Sequence, residues 1–201
     1  LIGIIGYGMG NLRSVRNALE HLGAACEVVE TPQRAAEMER LVLPGVGAFG
    51  EGMRRLDEHG FAEALPELAG NGRPLLGICL GMQLLAETSS EHGTHEGLGL
   101  IRGAVERIQP GDSLRIPHVG WNTATRMRPT ELFEGLSEGP TFYFVHSFEL
   151  RPTDPADLTA TTDYGCPLSA AVESGSVYGV QFHPEKSQAD GLALLRNFIS
   201  L

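Results

Sequence analysis

One position in this chain carries the clearest signature of chemistry: Cys79, in Gly77-Ile78-Cys79-Leu80-Gly81. The cysteine stands where an apolar strand over residues 74–78 gives way to a helix over about residues 80–88. This is the nucleophile-elbow pattern G-x-[nucleophile]-x-G with Cys in place of Ser. Glycines two places before and after relieve crowding around a strained backbone, so that the side chain projects at the top of a sheet. A helix N-terminus beneath the sulphur, with its partial positive charge and unpaired N–H groups, favours the reactive thiolate form. The elbow fixes where chemistry happens but not which chemistry.

A cysteine nucleophile needs a base, and the base needs an orienting group. Val180-Gln181-Phe182-His183-Pro184-Glu185 supplies a candidate pair. Pro184 biases His183 to an extended backbone, in which residues two apart share a side, so His183 and Glu185 are expected to be neighbours. The apolar strand before His183 would deliver the pair to the edge of the sheet, where the elbow also ends. A third segment, Leu43-Pro44-Gly45-Val46-Gly47-Ala48-Phe49-Gly50, follows another apolar strand. Exposed N–H groups of this segment, with that of Leu80, would bind the oxyanion of a tetrahedral intermediate. A tight strand-to-helix connection accounts for the same glycines equally well.

The elements that must position these residues read as alternating strand and helix in the first half. Strands are expected at residues 1–5, 26–29 and 41–43, with helices over 12–22, about 51–58 and about 61–69. Asn11 is the N-cap of the first helix, whose Leu12, Val15, Leu19 and Leu22 share one face. The segment 89–97 is rich in turn residues, and short β stretches follow at 103–108, 121–125, 141–150, 159–162, 169–173 and 177–182. Turn signals at Pro110-Gly111 and Ser174-Gly175 predict antiparallel hairpins among them. A helix over about 190–200 closes the chain, with Leu192, Leu195, Phe198 and Ile199 inward. The expected fold is α/β: a three-layer, flavodoxin-like sandwich around a mixed, mostly parallel sheet, with added antiparallel hairpins.

Composition bounds the function. At 201 residues and 42% hydrophobic, the chain is expected to form one domain over 1–201. The first residue is Leu, so the numbering is expected to omit a few residues. No apolar run is long enough to span a membrane, and no charged-then-apolar pattern opens the chain. Three cysteines, an odd count, fit free thiols in a reducing cytoplasm better than a disulfide framework. The formal charge of -10, from 15 basic and 25 acidic side chains, argues against nucleic acid or an anionic membrane as the main partner. The glycines of the first turn do not make a dinucleotide fingerprint, because Gly6-Tyr7-Gly8 is followed three places on by Asn11. Tyr7 reads as a loop contact at a partner surface. His92 and His95 beside Glu91 and Glu96 read as solvated side chains of a mobile loop rather than as a metal site, and no metal is expected. Cys26 reads as a core thiol, and His21 and His59 as helix-end residues. Trp121 fits either a core position or an exposed interface anchor.

The elbow, the glycine loop and the late H-P-E together resemble the class I glutamine amidotransferases over nearly the whole chain. Further segments narrow the resemblance: Gly8-Met9-Gly10-Asn11-Leu12, Pro117-His118-Val119-Gly120-Trp121-Asn122 and Tyr143-Phe144-Val145-His146-Ser147. They are similar to the branch that feeds ammonia to the cyclase subunit of imidazole glycerol phosphate synthase. That branch usually carries an acidic residue after the first strand, where this chain has Gly6. The resemblance implies a glutaminase with the triad Cys79, His183 and Glu185. It implies an oxyanion site at Val46, Gly47 and Leu80, and substrate contacts from Gly47, Gln83, Glu91, His146 and Ser147. A cyclase partner in a heterodimer would meet Asn11, Trp121, Asn122 and Tyr143, and no cofactor is needed. The same resemblance makes Gly45-Val46-Gly47 a switch that responds to the partner. Two rivals remain: a hydrolase with the same triad that needs no partner, and a scaffold that keeps the fold without catalysis.

Overall fold

A computed structural model describes residues 1–111 and 114–201. Strand and helix alternate through the first half: β1 (Ile2–Ile5), α1 (Leu12–His21), β2 (Cys26–Val29), α2 (Pro32–Ala36), β3 (Arg40–Gly45), α3 (Phe49–Glu58), α4 (Phe61–Gly70), β4 (Leu75–Cys79) and α5 (Leu80–Leu84). Strands dominate the second half: β5 (Ala86–Ser89), β6 (His95–Glu96), β7 (Ile101–Arg107), β8 (His118–Thr123), β9 (Thr125–Arg126), β10 (Thr141–His146), β11 (Phe148–Pro152), β12 (Leu158–Asp163), β13 (Pro167–Ser174) and β14 (Val177–Val180). A 3-10 turn at Pro184–Lys186 leads into α6 (Gln188–Ser200).

Among the described residues the strands form three sheets. The largest runs β2-β1-β3-β4-β14-β13-β12-β9. Its first five strands are mutually parallel, and the remaining joins are antiparallel. This is the mixed, mostly parallel α/β sheet with hairpins that the sequence predicts. Alternation along its central strands explains the layering. Ile2, Ile4, Val42, Leu76 and Ile78 face Val15 and Leu19 of α1 and Leu194, Leu195 and Phe198 of α6. Ile5, Leu41, Leu43 and Leu75 face Leu56 of α3, Leu65 of α4 and Leu80 and Leu84 of α5. Parallel strands buried on both faces must be apolar throughout, which is why these runs are continuous in the sequence.

Several expectations change. The helix after Cys79 ends at Leu84 rather than near residue 88. The carbonyls of Leu84 and Leu85, which would otherwise accept from the next helical turn, accept instead from Leu98, Leu100 and Ile101 N–H groups at 2.8–2.9 Å. Residues 86–89 are thereby drawn into β5. The expected strand over 141–150 divides at Ser147, because β10 pairs with β8 while β11 pairs with β7 in another sheet. α2 was not expected; Thr31 caps it and Pro32 opens it, but its five residues carry no apolar stripe. Segment 89–97 contains β6, and His95 is half-buried there. Its ring would lie 2.6 Å from a Cβ at Gly50, so it packs on α3 rather than in solvent. Cys26 is only half-buried, because β2 is the edge strand. Tyr7 is fully buried and its hydroxyl donates to the Pro44 carbonyl at 2.9 Å, so it faces no partner. Gly6 also has a local reason: a Cβ there would lie 2.7 Å from Val28 Cγ1.

Candidate active site

β4 and β14 are adjacent central strands, with Ile78 opposite Val180, so residues 79 and 183 leave the sheet at the same end. The site therefore lies at the carboxyl ends of central parallel strands, not at a lateral edge of the sheet. Cys79 has φ 55° and ψ −111°, a left-handed conformation uncommon for a side chain with a Cβ. Its two glycines are required by close approach. A Cβ at Gly77 would lie 2.6 Å from the Gly81 carbonyl oxygen, and one at Gly81 would lie 1.8 Å from the Leu43 carbonyl oxygen. The helix beneath Cys79 is a single short turn, so the N-terminal effect expected there reduces to the free N–H groups of that turn.

His183 and Glu185 meet as expected: His183 Nδ1–H donates to Glu185 Oε1 at 2.8 Å, with both side chains buried. The reason differs in part. His183 is extended, with φ −100° and ψ 93°, but Glu185 lies in the following 3-10 turn and returns to the imidazole by that turn. Burial pushes His183 down. Hydrogen bonding to Cys79 and Glu185, and the negative charge on both, outweigh it and raise the imidazole to about 9. The segment is bolted in place. His183 N–H donates to the Tyr143 carbonyl at 2.9 Å, and Tyr143 N–H donates to Ser187 Oγ at 3.0 Å. Ser187 Oγ–H in turn donates to the His183 carbonyl at 2.6 Å. Phe182 stacks on Phe142 with ring centroids 3.8 Å apart.

Cys79 and His183 open on a cleft of about 390 Å³. Val46, Gly47, Leu80, Gln83, Glu91, His146 and Ser147 all line it, so the expected oxyanion and substrate residues converge. Gly47 has φ 110°, a value suited to glycine, and Val46 is 45% exposed at the mouth. Glu91 Oε2 accepts from Phe49 N–H at 2.7 Å. It thereby caps α3, whose own N-cap residue Ala48 offers no side-chain acceptor.

The residues expected at a partner surface divide. Val119 and Trp121 of β8 lie opposite Val145 and Tyr143 of β10, and they form an exposed apolar face beside the cleft. Trp121 is 50% exposed and meets Tyr143 edge-on at 6.1 Å. Asn122, one residue on, turns the other way, and its amide donates to the Asp163 carbonyl at 2.7 Å. Asn11 is exposed while its Oδ1 accepts from Ser14 N–H at 3.2 Å as the cap of α1.

Sequence reasoning missed Gln181 and His118. Gln181 is fully buried; its Oε1 accepts from Gln83 Nε2 at 3.0 Å and its Nε2 lies 3.9 Å from Cys79 Sγ. The signal was present, since Gln181 is two residues before His183 on an extended run. His118 is buried between the rings of Phe144 and Tyr164. Its partner His146 is visible only once β8 and β10 pair.

A strained cysteine, a buried imidazole–carboxylate pair and a cleft lined by the glycine loop equip this end of the sheet for acyl transfer from sulphur. The family model for class-I glutamine amidotransferases matches residues 4–201, and the chain belongs to that family. Its place within the family is the HisH branch. It is 48% identical to the imidazole glycerol phosphate synthase subunit HisH of Desulfitobacterium hafniense (strain DSM 10664 / DCB-2), over 98% of this chain and 93% of the relative. It is likewise 48% identical to that of Aquifex aeolicus (strain VF5), over 97% and 94% of the two chains. The fold also matches a crystal structure of a glutamine amidotransferase, with TM-score 0.78 and 22% identity over 99% of this chain and 97% of the other. PurLQS from Thermotoga maritima matches with TM-score 0.76 and 21% identity, again over 99% and 97%.

Proposed function

We propose that this chain is the glutaminase subunit of an imidazole glycerol phosphate synthase, acting in histidine biosynthesis as one unit over residues 1–201. In this reading His183 Nε2 holds the proton of the Cys79 thiol, and Sγ attacks the side-chain carboxamide carbon of glutamine. The Nδ1 contact with Glu185 leaves that nitrogen free for this role, and the carboxylate stabilises the imidazolium. N–H groups of Val46, Gly47 and Leu80 bind the oxyanion. Collapse breaks the C–N bond, and ammonia leaves with the proton carried by His183. Water, activated by the now neutral imidazole, hydrolyses the γ-glutamyl thioester to glutamate and regenerates the thiol.

Ammonia passes to a cyclase subunit in a heterodimer. The exposed apolar face of Val119, Trp121, Tyr143 and Val145 beside the cleft supports this assignment of the docking surface. Asn11 stands on the β1–α1 loop as a further contact. Glutamine is held by Gln83, Glu91, His146 and Ser147. Three free cysteines fit a cytoplasmic setting. The observation that carries the reading is the convergence of Cys79 and the His183–Glu185 pair at one end of two adjacent central strands.

The test mixes the protein with a cyclase subunit and follows product formation from glutamine and, separately, from ammonium salts. Cys79→Ala is expected to abolish the glutamine-dependent activity and to leave the ammonium-dependent activity intact. Loss of both together would overturn the division of labour. Glycines lower the cost of rotating peptides in Gly45-Val46-Gly47, so glutamine turnover by the isolated subunit is expected to be slow. Fast turnover without the cyclase removes the switch from the proposal.

A further inference from the structure

Behind the cleft wall runs a chain of hydrogen bonds, buried at the His118–His146 centre, whose directions are fixed at both ends. Asn122 Oδ1 accepts from Thr123 N–H at 2.8 Å, so its Nδ2 is the donor that faces His118 Nε2 at 3.3 Å. His118 Nε2 is therefore the unprotonated nitrogen, and the proton sits on Nδ1, 2.9 Å from His146 Nε2. His146 must then accept at Nε2 and carry its own proton on Nδ1, which lies 2.8 Å from the Phe148 carbonyl oxygen. A carbonyl only accepts, so the far end gives the same answer independently. Burial holds both imidazoles at about 4, so each is neutral near pH 7.

The Phe148 carbonyl also accepts from Gln83 Nε2 at 3.0 Å, which sets the orientation of that amide. The second Nε2 proton of Gln83 goes to Gln181 Oε1 at 3.0 Å, and Gln181 Nε2 is left to face Cys79 Sγ at 3.9 Å. Both protons of Gln83 point inward, so the atom it offers the cleft is the acceptor Oε1.

We propose that His118, which nothing in the reaction scheme uses, is a positioning residue. Its Nδ1–H fixes the tautomer of His146, and through the shared Phe148 carbonyl it holds Gln83 with its acceptor toward the substrate. The cleft then selects an N–H donor on the bound molecule, as the ammonium or carboxamide of glutamine provides. This inference rests on the glutaminase reading.

The test has two arms. In the full chain labelled with 15N at histidine, long-range 1H–15N correlations distinguish Nδ1–H from Nε2–H imidazoles, with assignments from His118→Phe and His146→Asn. Nδ1–H is expected at both residues, against the Nε2–H form that free histidine prefers. An Nε2–H or doubly protonated ring at either position near pH 7 overturns the proposal. In the complex with a cyclase, His118→Phe keeps a ring between Phe144 and Tyr164 but removes the donor. KM for glutamine is expected to rise about tenfold, the usual consequence of one buried acceptor left unpaired, with kcat changed by less than about twofold. His118→Asn, whose amide nitrogen falls near the Nδ1 position, is expected to recover most of the loss. An unchanged KM in His118→Phe, or no recovery in a folded His118→Asn, also overturns it. If His118→Phe fails to fold, the wild-type spectrum, assigned with His118→Asn and His146→Asn, still decides. Absence of glutamine hydrolysis in the wild-type complex would sink the functional reading instead, and leave the tautomer result standing on its own.

Discussion

Gly81→Ala isolates the steric demand of the elbow. The added Cβ would stand 1.8 Å from the Leu43 carbonyl oxygen and 2.8 Å from its carbon, where real contacts begin at 3.0 Å. Helix α5 and strand β3 must therefore part by about 1.2 Å, and no side chain is available to swing away because both atoms are backbone. Gly81 is not in the left-handed region, so the cost is contact alone. Overpacking costs about 1–3 kcal/mol, and a rigid backbone neighbour places this case near the top of that range. Alanine recovers up to about 1 kcal/mol of helix propensity, for a net loss of about 2 kcal/mol. In a chain of this size that lowers Tm by roughly 4–8 °C. The functional loss should be larger, since Cys79 rides on the displaced turn and a shift of about 1 Å at a reacting atom costs on the order of 100-fold. Thermal unfolding and glutamine-dependent kcat/KM with the cyclase present measure the two effects. Gly70→Ala is the matched control: it ends α4 with nothing within 4 Å of the new Cβ, and it should leave stability unchanged or slightly higher. A Gly81→Ala protein within about 2 °C and twofold of wild type would refute the reasoning, because overpacking of this kind has no cheaper outlet.

Other consequences follow from the same geometry. Glu185→Gln keeps the shape but removes the charge beside His183; kcat should fall on the order of 100-fold or more, and the imidazole should titrate at lower pH by NMR. An unaltered titration would remove Glu185 from its role. His118 and His146 are depressed to about 4 in the fold, whereas an unfolded histidine takes a proton near 6.5. Their contribution to stability is therefore complete above about pH 6.5 and is lost as pH falls toward 4. The urea midpoint of wild type should drop more steeply over that window than that of His118→Asn, and equal slopes would contradict the assignment. Trp121→Ala should leave Tm almost unchanged, because the side chain is half exposed, yet weaken cyclase binding by about 30-fold, as expected of an aromatic anchor. Calorimetric titration with equal affinities would place the docking face elsewhere.

The sheet was legible because strands buried on both faces have no polar side to show. Residues 2–5, 41–43 and 74–78 read as continuous apolar runs, and the structure pairs them in parallel. The α1 cap was legible for a similarly local reason: Asn11 precedes an apolar stripe and its Oδ1 reaches Ser14 N–H. What escaped was decided by distant partners. Nothing local in residues 84–89 says that N–H groups from 98–101 will take the helix carbonyls and turn the next residues into β5. Ser147 carries no break signal; the strand divides there because its two halves have partners in different sheets.

The Cys79 elbow and the His183–Glu185 pair were legible in the sequence, since an elbow and H-P-E are short-range patterns whose residue types state their chemistry. Sequence also determined that glycine must flank Cys79, although only the tertiary structure shows why: the obstacles are Leu43 and Gly81 carbonyls brought in by neighbouring elements. Which of seven histidines stand beside the cleft was a tertiary matter throughout. His118 and His146 are 28 residues apart and meet because β8 and β10 pair antiparallel. Their protonation then follows from what the folded chain leaves each nitrogen to face: an amide donor at one end and a carbonyl at the other.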